Sequence, residues 1–60
     1  MHAAEAAFEM AVAFLETEAA DYRQAGYEFA TKNPDRGLRF LAHASALDLA
    51  AYMMRSKFLR

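Results

Sequence analysis

Residues 32–37 read Lys32-Asn33-Pro34-Asp35-Arg36-Gly37, and this stretch divides the chain in two. Proline cannot continue a helix, and it drives the residue before it out of helical angles. Asn33 suits an N-cap, Pro34 the first helical position, and Asp35 the positive end of the helix dipole. The stretch therefore closes one helix and opens another within a few residues. A link that short makes the two helices antiparallel neighbours. Gly37 falls inside the first turn of the second helix and weakens its start slightly.

Upstream, the pattern predicts a helix over about residues 3–32. Its main stripe is a seven-residue series, Phe8, Leu15, Tyr22 and Phe29, the spacing of a heptad seam. Ala4, Ala11 and Ala25 flank it on one side, and Val12, Ala19 and Gly26 on the other. Small flanks let a partner helix come close, and the large residues fill the gaps between. Gly26 costs ~1 kcal/mol of helix propensity against alanine. Because the stripe runs on to Phe29, Gly26 marks a close contact rather than a break. Ala3, Ala6, Ala7, Met10, Ala13 and Phe14 add an extra apolar side to the first half of this helix.

Downstream of the break, a turn over about 33–35 leads into a helix over about 35–59. It carries two apolar stripes. One holds Leu38, Leu41, Ala42, Leu49, Tyr52, Met53 and Leu59; the other holds Phe40, Ala44, Leu47, Ala51, Met54 and Phe58. At ~100° per residue the two lie on roughly opposite sides. A single partner helix covers one of them. A helix apolar on two sides is normally buried on two sides. The expectation is that the first stripe packs on helix 1 and the second meets another chain. In an antiparallel hairpin, Met10 and Phe14 would then lie beside Ala51, Met54 and Phe58.

Size makes the same demand. Sixty residues form one small domain, and a domain of that length buries only ~60% of the surface of its unfolded chain. Disulfides, a metal or oligomerisation usually rescue such chains. There is no cysteine, so disulfides and a cysteine zinc site are excluded. Hydrophobic residues make up 57% of the chain, which argues against disorder.

The net charge of −1 provides no global field for nucleic acid or a membrane surface. The charge is segregated, however. Residues 1–34 carry two cations against six acids, and residues 35–60 carry five cations against two acids. Two oppositely charged helices attract each other. No stretch approaches the ~20 apolar residues of a membrane span, and the acidic N-terminus lacks the basic region of a signal peptide. A cytoplasmic location is the default expectation.

Residues suited to chemistry are sparse. Thr17, Thr31, Ser45 and Ser56 are the hydroxyl nucleophile candidates, and none stands in a nucleophile-elbow context. His2, Glu5 and Glu9 share a ligand-like spacing, but a bundle metal site needs a Glu-x-x-His step and more inward carboxylates. No metal and no cofactor are expected. His43 lies between the second stripe and the polar edge of helix 2. Tyr22 and Tyr52 sit on the main stripes, with Glu18 and Asp48 as acceptors within reach of their hydroxyls or of Arg55. Tyr27 stands off the stripe near Arg23 on the polar side, an ordinary exposed tyrosine or, as the alternative, a contact residue. Around the turn, Lys32, Arg36 and Arg39, with Arg23, form a short basic cluster of the kind that holds phosphate.

These observations predict an all-α fold, an antiparallel two-helix hairpin that completes a four-helix bundle by homodimerisation. The function expected is that of a small non-enzymatic assembly, adaptor or regulatory protein, of the kind bacteria and phages encode. It docks through apolar helix faces on itself or on a larger protein partner. Met10, Phe14, Phe40, Leu47, Ala51, Met54 and Phe58 are the expected contacts. The alternative is a dimeric nucleic-acid-binding regulator that uses Arg23, Lys32, Arg36 and Arg39.

Overall fold

The computed structural model describes residues 3–58, which form two helices, α1 (Ala3–Phe29) and α2 (Pro34–Phe58). Ring pairs fix their direction. Phe8 lies against Phe58 with centroids 5.3 Å apart, and Phe29 lies against Phe40 at 5.5 Å, so the helices run antiparallel. The described residues contain no strand. Their residues 3–58 exclude His2 of the His2–Glu5–Glu9 spacing and Leu59 of the first α2 stripe.

The junction follows the chemistry of its residues. Asn33 caps α2, its Oδ1 accepting the backbone N–H of Arg36 at 3.2 Å. Pro34 begins the helix, and the Gly37 N–H donates to the Asn33 carbonyl at 3.0 Å. The end of α1 comes at Phe29, three residues short of the expected Lys32. The amides of Lys32 and Asn33 both donate to the Phe29 carbonyl, at 3.0 and 2.8 Å, which tightens residues 30–32 into a turn. Pro34 has no N–H with which to prolong the ladder.

The hairpin closes along its smallest residues. On α1 the buried row is Val12, Ala19 and Gly26; on α2 it is Gly37, Ala44 and Ala51. Both rows repeat every seven residues, as a shallow helix crossing requires. The approach is tightest near the turn. A methyl group on Gly37 would stand 2.9 Å from the Gly26 carbonyl oxygen and 3.0 Å from the Ala30 Cα. One on Gly26 would stand 2.7 Å from the Leu41 Cγ. Gly26 is thus a close-contact site, and Gly37 is a second one.

This closure reverses the expected use of the α2 stripes. Ala44 and Ala51 face α1, with Ala51 only 3% exposed and therefore spent inside the hairpin. Phe40, Leu47 and Met54 flank them and are half-buried. In the stripe expected to pack on α1, Leu38, Leu49, Tyr52 and Met53 are exposed instead, and only Leu41 is half-buried. On α1 too the row of small residues lies innermost, and Phe8, Leu15, Tyr22 and Phe29 are half-buried beside it. The physical reason is distance. Alanine and glycine let two backbones approach over their whole length, whereas facing rows of leucine and phenylalanine would hold them apart.

The result is a thin plate with Cα extents of 46 × 16 × 9 Å. Its radius of gyration is 14.0 Å, against ~10 Å for a compact chain of this length.

Candidate functional site

Two rows border the buried one on each helix, at positions three and four residues further on. In an antiparallel pair, the equivalent rows of the two helices emerge on the same side of the plate. Here they divide by chemistry. The plus-three rows are Phe8, Leu15, Tyr22 and Phe29 on α1, and Phe40, Leu47 and Met54 on α2. All seven are half-buried. The plus-four rows hold Glu9, Glu16 and Arg23 on α1, and Asp48 and Arg55 on α2, with Ala30 and Leu41 at the turn end.

The second side is an ionic seam. Arg55 reaches Glu9 at 3.5 Å and Glu16 at 3.3 Å, and Arg23 pairs with Asp48. Every pair crosses between the helices; the two made by Arg55 follow the segregation of charge, and Arg23–Asp48 runs against it. The side chains are 39–50% exposed, so each pair contributes at most about 1 kcal/mol. Asp48 serves Arg23, and the Tyr52 side chain stands 68% exposed.

The first side is an aromatic flank. Phe40 packs on Tyr22 at 5.9 Å and on Phe29 at 5.5 Å. Tyr22 stacks on His43 with centroids 4.2 Å apart and an interplanar angle of 27°. The Arg36 guanidinium lies 4.8 Å above the Phe29 ring and 5.9 Å from that of Phe40. It closes the turn end of the flank by a cation–π contact, while Phe8 and Phe58 close the other end.

The structure separates the residues expected to make contacts. Phe40, Leu47 and Met54 join Phe8, Leu15, Tyr22 and Phe29 on one flank. Phe58 stands at its end, and Ala51 is sealed beneath it. Met10 and Phe14 are 73% and 62% exposed. They lie roughly 160° around α1 from Val12, and so do not adjoin Ala51 and Met54. Sequence reasoning treated Phe8, Leu15, Tyr22 and Phe29 as core, and the structure places them half-buried on the flank. The signal that could have found them is the parallel heptad of small residues, Val12–Ala19–Gly26 against Gly37–Ala44–Ala51.

The basic cluster is separated too. Arg23 belongs to the ionic seam on the side opposite Arg36. Arg36 and Arg39 share an open depression with Asn33 and Asp35, and Lys32 is exposed in the turn. Among the described residues no group of three or more His, Cys, Asp or Glu could hold a metal ion. No helix is long and apolar enough to cross a membrane, among those residues. Tyr27 is 64% exposed.

Fold and flank together define a helical hairpin with one ionic and one aromatic side. Comparison with protein-family models, curated proteins and solved structures finds no match.

Proposed function

We propose that this chain is a small, non-enzymatic interaction protein that docks through the aromatic flank of its hairpin. The observation that carries the proposal is the flank itself: seven large apolar side chains in register on one side of the plate, each only half-buried. Apolar surface this extensive on one side of a small protein usually marks a contact site. Its composition supports the same reading. Aromatic residues, methionine and arginine are enriched at interfaces, and Tyr22, Phe29, Phe40, Met54 and Arg36 supply all three. Acidic and lysine side chains, which are depleted there, fall mainly elsewhere on the plate.

The test places a charge on each side in turn. The chain is followed by size-exclusion chromatography of an extract of its native cells. It should elute in an assembly well above its own 6.7 kDa. Leu47→Asp, in the middle of the flank, should shift it to the free chain, because a charge buried in an apolar seam is costly. Tyr52→Asp, on an exposed position away from the flank, should leave the assembly intact. Elution of the natural chain as a free monomer would overturn the proposal.

A further inference from the structure

We infer that the aromatic flank is covered by a second copy of this chain, related by a two-fold axis parallel to the helices, with both turns at the same end. This rests on the docking function proposed above and names its occupant and geometry.

Area points to a copy. The chain exposes 4682 Å². A compact folded monomer of its mass, 6.7 kDa, exposes about 3,900 Å². The excess is close to the ~800 Å² that each partner buries in an interface of standard size. The plate therefore carries one interface's worth of surface beyond what a folded chain of this size leaves in water. An isologous pair covers the flank of both copies at once.

Two symmetric ways exist to lay one plate on another. With the axis parallel to the helices, α1 of one copy lies on α2 of the other. With the axis across them, α1 lies on α1 and α2 on α2. Both give antiparallel neighbours, so helix dipoles do not choose between them. The row beside the aromatic flank does. On α1 it is Ala4, Ala11, Glu18 and Ala25, small residues with one acid. On α2 it is Arg36, His43, Ala50 and Lys57, larger and basic. The crossed arrangement sets the large basic row against itself. The parallel-axis arrangement sets the small row against the large one, complementary in size, and keeps the two basic rows apart.

Level agrees with size. An axis parallel to the helices keeps every residue at its own height. Within the hairpin Phe40 lies between Tyr22 and Phe29, so the partner's Tyr22 and Phe29 straddle Phe40 as well and the rings interleave. Gly37 sits level with Gly26 and Ala30, which brings Glu28 of one copy within a turn of Arg39 of the other. Arg39 has no ion-pair partner of its own among the described residues. Arg55, bridging Glu9 and Glu16, sets Phe14 near the level of Met53. These two side chains, 62% and 46% exposed in the single chain, then cover each other across the rim.

The absence of cysteine makes the test clean. Thr31→Cys, in the exposed turn, takes a single spin label, and the purified chain is examined by light scattering and pulsed electron double resonance. Turns at the same end place two labels roughly 20 Å apart; turns at opposite ends place them roughly 40 Å apart or more. A dimer with the short distance is the expected result. A dimer with the long distance would overturn the orientation and leave self-association standing. A monomer at all concentrations would overturn the second copy as occupant, while the assembly seen in cell extract would still test the docking function separately. In addition, Arg39→Glu should weaken dimerisation roughly three- to tenfold, and adding Glu28→Arg should restore it. Absence of restoration would also overturn the orientation.

Discussion

At the scale of the residue, the two glycines matter most. Neither adopts a positive φ, so neither is there for a turn. They are there because the backbones nearly touch. Replacing either by alanine gains ~1 kcal/mol of helix propensity, and the collision opposes that gain. At Gly37 the obstacles are the Gly26 carbonyl oxygen at 2.9 Å and the Ala30 Cα at 3.0 Å, both backbone. At Gly26 the nearest obstacles are Leu41 Cγ and Cδ2, at 2.7 and 2.8 Å, and a side chain can turn aside more readily than a backbone. Gly37→Ala should therefore be net destabilising, since overpacking costs ~1–3 kcal/mol. Gly26→Ala should cost less. Urea unfolding followed by far-UV circular dichroism ranks the two; equal stability of both with the natural chain would mean that the helices do not approach this closely. Asn33 makes the opposite case, a residue whose role is entirely local. Its side chain satisfies one amide of α2, and Asn33→Ala should cost ~1 kcal/mol in the same assay.

At the scale of the element, the sequence reveals the helices and their junction and conceals which faces meet. Pro34, Asn33 and the heptad of Phe8, Leu15, Tyr22 and Phe29 suffice for two antiparallel helices, because capping and periodicity are local. Which row lies innermost is a matter of pair geometry. Ranking by hydrophobicity selects the large residues, while two helices in contact along 25 residues select the small ones. The bulky rows then become flanks, and a flank is already half an interface. That is why Phe40, Leu47 and Met54 are legible in the sequence as a second apolar face, whereas Phe8, Leu15, Tyr22 and Phe29 read as core. The same geometry predicts that Ala44→Leu, at a position 1% exposed, forces the helices apart and destabilises by ~1–3 kcal/mol. On the ionic seam, Arg55→Gln removes both pairs to Glu9 and Glu16 and should cost no more than about 1 kcal/mol, because all three groups are exposed to solvent. If Arg55→Gln proved the costlier of the two in thermal unfolding, the seam and not the alanine row would hold the hairpin together.

At the scale of the whole molecule, the hairpin has little core of its own. Among the described residues the buried hydrophobic ones are Val12, Ala19, Ala44 and Ala51, and only Val12 among them has a side chain of any size. Fully burying a valine contributes ~1.5–3 kcal/mol, and an alanine methyl less. Ordering each residue of the backbone costs ~1–2 kcal/mol. The half-buried rings of the aromatic flank are the remaining reserve, and they yield their full contribution only when water is removed from their outer side. Folding and association should therefore be one event. For a dimer that dissociates as it unfolds, each tenfold dilution lowers the stability per dimer by ~1.4 kcal/mol, the free energy of one decade in concentration at room temperature. With the unfolding entropy of two chains of 60 residues, that lowers Tm by about 5 °C. Thermal melts across a hundredfold range of concentration measure it directly. A Tm that falls with dilution by about this amount ties the fold to its assembly; a constant Tm would mean that Val12, three alanines and an open aromatic flank are enough to hold two helices together in water.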